Sequence, residues 1–176
     1  MKNTKTLLRI ATLGAVGYVL MLLEFSILPA ASFLKLNLSD IPALLAAFAM
    51  GPVAGLLVVL IENILHIAVS FSGGVGELAN ILIGGTFALS AGLLYKKHHT
   101  KRGALLALLF GSILMIFAAL LSNRFLLLPM YLPNGSAEVF GKMLLSAILP
   151  FNVLKAVIIT TLLMLLYKPL SPLLKK

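Results

Sequence analysis

Between Lys142 and Lys168 the chain carries a single charged residue, Lys155, at the midpoint of an otherwise apolar run. At about 1.5 Å of rise per helical residue, either end of that run lies roughly 20 Å from Lys155. A lysine stem can snorkel over only part of that distance. Hydrocarbon offers backbone groups no water to bond, so a run of this length must close its hydrogen bonds within itself as a spanning helix. Five further apolar runs precede it: 7–28, 41–50, 53–71 after the Gly51-Pro52 break, 78–95 and 103–128. All but 41–50 meet or approach the ~20 residues that a bilayer requires.

Composition points the same way. The chain is 61% hydrophobic and 11% charged, where a soluble domain is about 45–50% apolar and about 25% charged. An integral membrane protein follows, with residues 1–176 read as one transmembrane domain. The net charge of +9 does not imply nucleic acid, because the basic residues cluster at the ends of apolar runs, the footprint of membrane orientation. There is no cysteine, which excludes disulfides, thiol nucleophiles and thiolate metal sites.

The positive-inside rule decides how the short run is counted. Six crossings place Lys2, Lys5 and Arg9, the basic loop from Lys96 to Arg102, and the tail lysines Lys168, Lys175 and Lys176 in the cytoplasm. Five crossings would export the N-terminal positives and retain only Lys35 in exchange. The expected fold is therefore all-α, a compact bundle of six transmembrane helices. Its second helix is short, tilted or buried, and both termini are cytoplasmic.

Polar residues inside membrane helices mark functional sites by default. Asn152 lies one turn before Lys155 on the same helix face, a pairing that suits a small-molecule site. Glu24, Glu62, Asn63, His66, Glu77, Asn80, Asn123 and Arg124 complete the set. In the six-crossing arrangement most of them fall in the external half of the bundle, as in a pocket loaded from outside. Each has a plainer reading: Asn123 bridging helices, Arg124 snorkelling outward, Glu24 as an interfacial carboxylate or a counter-ion for Lys155. Glu62 and His66, spaced i, i+4, read more simply as a satisfied pair on one face than as a metal site.

Enzyme motifs are thin. Gly74-Val75-Gly76-Glu77-Leu78-Ala79 matches a dinucleotide fingerprint only on paper, without its strand–turn–helix context, and no Walker A loop is present. No catalytic group, metal or cofactor is expected. Ala11 and Ala15 on the first helix, and Gly51 and Gly55 across the second break, have the small-x-x-x-small spacing that permits close backbone approach.

Four separated blocks carry a family resemblance: Phe33-Leu34-Lys35-Leu36-Asn37-Leu38-Ser39-Asp40-Ile41-Pro42-Ala43-Leu44, Gly73-Gly74-Val75-Gly76-Glu77-Leu78-Ala79-Asn80, Pro150-Phe151-Asn152-Val153-Leu154-Lys155, and Leu166-Tyr167-Lys168-Pro169-Leu170-Ser171-Pro172-Leu173. In this order the chain resembles the substrate-binding (S) subunits of energy-coupling factor (ECF) vitamin transporters, most closely the riboflavin-specific ones. The resemblance implies a bacterial multi-pass cell-membrane protein that binds riboflavin from outside. Asn123, Asn152 and Lys155 would contact the flavin, Leu36 to Asp40 would cover it, and Glu77 and Asn80 would lie near its other end. It further implies that Ala11 and Ala15 dock a transmembrane T subunit, and that two ABC-type ATPases hydrolyse ATP on this chain's behalf. The alternatives are an S subunit for another vitamin, an ion-coupled secondary carrier using Glu24, Glu62 and His66, and a purely structural membrane protein.

Overall fold

A computed structural model describes residues 2–28 and 31–174, with side chains described for 4–28 and 31–167. The tail lysines Lys175 and Lys176, counted above among the cytoplasmic positives, lie outside the described residues, as does the side chain of Lys168. Six helices run in succession: α1 (Lys2–Leu22), α2 (Asp40–Met50), α3 (Pro52–His66), α4 (Val75–Tyr95), α5 (Lys101–Tyr131) and α6, which starts at Ala137 and continues to Leu174. Among the described residues, five helices are long and apolar enough to cross a bilayer, and α2 is the short exception. The protein is a multi-pass membrane protein built as an all-α bundle.

The small α2 fits because its neighbours approach almost to backbone contact. A β-carbon placed on Gly55 of α3 would lie 2.7 Å from Ala47 Cβ and 2.8 Å from the Ala43 carbonyl. One placed on Gly92 of α4 would lie 2.9 Å from Pro52 Cα. Eight residues of α2 are buried by this packing, so a helix too short to span the hydrocarbon is shielded by protein instead. Gly51 has a different task from the one its spacing suggested. Its φ of +104° makes the α2–α3 turn, and no atom crowds it; Pro52 then opens α3 at a position where a missing N–H costs nothing.

Polarity and packing order the two ends. At one end the α2–α3 turn faces Lys96 and His99 of the basic loop. There Tyr95 Oη and Tyr167 Oη lie 3.0 Å apart, and Tyr95 stacks on Phe48 with ring centroids 4.1 Å apart. Ile10 packs with Ala46 and Ala54 toward the same side. By the positive-inside rule this end is cytoplasmic. At the opposite end α1 stops at Leu22, six residues before the end of the apolar run. The chain there forms a two-stranded antiparallel hairpin, β1 (Phe25–Ser26) with β2 (Lys35–Leu36), in which Phe25 faces Leu36 and Ser26 faces Lys35. Pro29 in the sequence disfavours helix at the residue before it. Glu24, no longer helical, is bound by Lys35.

Two prolines reshape the long helices. α5 passes through a π-helical turn over Asn123–Leu127 immediately before Leu128-Pro129, and α6 through another over Leu144–Ile148 immediately before Leu149-Pro150. Proline lacks the N–H for the i−4 carbonyl and its ring collides with that carbonyl. A widened turn relieves both problems, and such single turns recur at functional sites. They also reset which residues face inward: Asn123 and Leu127 are buried, while Phe125 is 73% exposed.

On α1, Gly14 and Gly17 face α3, while Ala11 and Ala15 face outward. A β-carbon on Gly14 would come within 2.6 Å of Ile61 Cγ2. Gly14→Val should therefore overpack the α1–α3 seam, costing about 1–3 kcal/mol. That loss should lower the thermal unfolding midpoint in detergent by several degrees. The outward Ala15→Val should leave it unchanged.

Candidate functional site

The external end of the bundle encloses a cavity of about 310 Å³. Its walls come from the hairpin (Lys35, Asn37), the end of α3 and the loop after it (His66, Ser70, Ser72), α4 (Glu77, Asn80), α5 (Asn123, Tyr131) and α6 (Phe151, Asn152, Lys155). Five of the seven residues proposed from the sequence as binding residues thus share one cavity: Asn152, Lys155, Asn123, Asn80 and Glu77. Leu36 and Asp40 do not line it. Leu36 is buried beneath the hairpin with Leu34, Leu128 and Phe151, and Asp40 sits behind Lys155.

Lys155 is 5% exposed, and its Nζ lies 2.7 Å from Asp40 Oδ2. Asp40 stands in the first turn of α2, where a negative charge is favoured by the helix dipole. This settles the counter-ion left open above: Glu24 binds Lys35 and Asp40 binds Lys155. One carboxylate cannot use all three ammonium donors, so Lys155 retains donors for the cavity that it lines.

The two asparagines are prepared by their own helices. Asn123 Nδ2 donates to the Ala119 carbonyl (2.8 Å), and Asn152 Nδ2 donates to the Ile148 carbonyl (2.8 Å). Each carboxamide is thereby oriented by its nitrogen, leaving Oδ1 as an acceptor. With Lys155 these form a compact set of two carbonyl acceptors and one charged donor, complementary to an edge that carries both an N–H and carbonyl oxygens. Aromatic surface comes from Phe33, which stacks obliquely on Tyr131 with centroids 5.1 Å apart, and from Phe71 and Phe151.

The opposite wall corrects one sequence expectation. Glu62 and His66 do not pair along α3. His66 Nδ1 instead lies 2.7 Å from Glu77 Oε1 on α4, and Glu77 Oε2 accepts from Ser70 Oγ (2.9 Å) and Ser72 Oγ (3.1 Å). Glu62 points toward α1, where a β-carbon on Gly17 would strike its Oε2, and it receives a long 3.5 Å contact from Asn80 Nδ2. Asn80 also donates to Asn63 Oδ1 at 3.3 Å. Helical i, i+4 spacing permits a pair, but a carboxylate held by three partners on the next helix offers His66 the better site. Ser70 and Ser72 were absent from the sequence-derived set. Their signal in the sequence is their place before Gly73-Gly74, whose φ values of +63° and +91° turn the chain into α4. Arg124, whose guanidinium lies 5.9 Å from the rings of both Phe125 and Phe140, does not line the cavity.

Removing one member of a buried ion pair strands the other, at about 3–5 kcal/mol. Lys155→Met should therefore lower the unfolding midpoint strongly, and adding Asp40→Asn should restore most of the loss. Additive losses would show that the two side chains do not meet.

Comparison with known proteins places this geometry. The family of ECF transporter substrate-specific components matches residues 5–167. The chain is 35% identical over 180 residues to the riboflavin transporter RibU of Staphylococcus aureus, covering 100% of this chain and 95% of that one. It is 33% identical over 178 residues to the riboflavin transporter FmnP of Bacillus subtilis, covering 97% and 94%. A solved structure of the S component of a bacterial ECF transporter matches with a TM-score of 0.84 at 34% identity, over 99% of both chains.

Proposed function

The chain belongs to the substrate-specific (S) components of ECF transporters, and from that premise we propose that it captures riboflavin at the external face for ATP-driven import. The observation that carries this reading is the convergence of Asn123, Asn152 and Lys155 on one cavity wall. The pyrimidine edge of a flavin presents two carbonyl oxygens flanking an N–H. Lys155 donates to a carbonyl, and an asparagine Oδ1 accepts from the N–H. Buried polar groups of this kind also select, because a ligand without the matching partners leaves them unpaired. Phe33, Phe151 and Tyr131 offer aromatic surface for the flat ring system, and Asn80 and Glu77 stand on the wall where the ligand's other end would lie. Leu36 and Asp40 act from behind that surface, Leu36 by seating the hairpin and Asp40 by holding Lys155.

Delivery follows from the division of labour in an ECF transporter. The T subunit docks on the outward-facing Ala11 and Ala15 of α1, where small side chains let another helix approach closely. Two ABC-type ATPases in the same complex supply the hydrolysis, and the loaded S component reorients within the bilayer.

Titration of the ligand-stripped protein in detergent, followed by quenching of flavin fluorescence, tests the site. One-to-one saturation by riboflavin is expected. Asn152→Ala should weaken binding by about two- to tenfold, the cost of one neutral hydrogen bond. A variant that titrates like the wild type would remove Asn152 from the site, and binding of another vitamin in preference to riboflavin would replace the substrate. Ala11→Trp with Ala15→Trp should leave riboflavin binding intact and abolish co-purification with the T subunit; retained assembly would refute the docking face.

A further inference from the structure

Both carboxylate oxygens of Glu77 are engaged from within the chain. Oε1 holds His66, and Oε2 accepts from both Ser70 and Ser72. Ser72 Oγ itself accepts from the Gly76 amide at 2.9 Å, which ties this cluster to the first turn of α4. A carboxylate engaged by three partners has little left for a ligand.

His66 is placed differently. Its Nδ1 is spent on Glu77, its ring meets Tyr18 edge-on with centroids 6.4 Å apart, and the residue lines the cavity. Among the described residues no hydrogen bond reaches Nε2. A carboxylate at one ring nitrogen selects the tautomer: Nδ1 carries the proton and donates it to Glu77, so Nε2 offers a lone pair. With Nδ1 spent on Glu77, His66 keeps an acceptor nitrogen where the residue lines the cavity beside the α3–α4 loop.

We propose that His66 is the ligand-contacting side chain at this end, where its Nε2 accepts a hydrogen bond from a hydroxyl of the ligand's polyhydroxylated chain, and that Glu77 is a positioning residue that aims the ring from behind. The proposal rests on the flavin reading above, in which the ring edge occupies the asparagine and lysine wall and the ribityl chain reaches the other.

The test compares two ligands and three substitutions. Lumiflavin has the ring system of riboflavin with a methyl group in place of the ribityl chain, so only riboflavin can use His66. His66→Gln places an amide near the position of Nε2, whereas His66→Asn places one near Nδ1. If His66 contacts the chain, His66→Asn keeps the bond to Glu77 yet loses about three- to tenfold in riboflavin affinity. Its lumiflavin affinity stays within about twofold, and His66→Gln retains the preference for riboflavin. Glu77→Gln, which no longer dictates the tautomer, shows a smaller loss confined to riboflavin.

A His66→Asn variant that keeps the wild-type ratio of riboflavin to lumiflavin affinity overturns the proposal, and so does one that loses both ligands equally, the mark of a structural role. The flavin reading fails separately: a wild-type protein that binds neither flavin overturns that reading and this proposal together. A wild type that binds both, with an unchanged ratio in His66→Asn, overturns this proposal alone.

Discussion

The ion pair between Asp40 and Lys155 is the constraint on which the rest of the site depends. Two opposite charges, 1% and 5% exposed, sit inside a bundle whose outer surface faces lipid. Neither is affordable there alone. Their 2.7 Å contact joins the start of α2 to the middle of α6, fixing the short helix and the hairpin before it against the wall that carries Asn152. The pair also decides what Lys155 can do, since one partner leaves donors free for a ligand. The contact explains why a charge can persist at the midpoint of an apolar run, and under the proposed function it also sets the donors offered to the ligand.

Backbone devices do the rest of the positioning. Close packing at Gly55 and Gly92 lets α2 sink between α3 and α4, setting Asp40 at the right depth. The π turns before Pro129 and Pro150 place Asn123 and Asn152 with their nitrogens on backbone carbonyls of their own helices and their oxygens unspent. The positive-φ pair Gly73-Gly74 returns the chain so that Glu77 meets His66, Ser70 and Ser72. At the far end, the Tyr95, Tyr167 and Phe48 cluster packs α2, α4 and α6 together beside the basic loop.

Much of this was legible in the chain before its structure was known, and for definable reasons. Long apolar runs and the placement of lysines at their ends dictate the number of helices and their polarity. A lysine and an asparagine one turn apart in hydrocarbon point to a site because no cheaper arrangement tolerates them. What sequence reading missed depends on contacts between distant elements. The choice between Asp40 and Glu24 as partner of Lys155 turns on where α1 ends. His66 passes over Glu62, a neighbour on its own helix, for Glu77 across the α3–α4 loop. The π turns in α5 and α6 shift which residues face inward. The Leu-Pro steps at 128–129 and 149–150 were visible signs of those turns, and helical periodicity alone does not register them.

A structure of the protein with riboflavin bound is the most direct test of this site. The pyrimidine edge of the flavin is expected against Asn123, Asn152 and Lys155, with Lys155 still held by Asp40. A flavin seated elsewhere in the bundle, or a Lys155 turned away from both the ligand and Asp40, would contradict it.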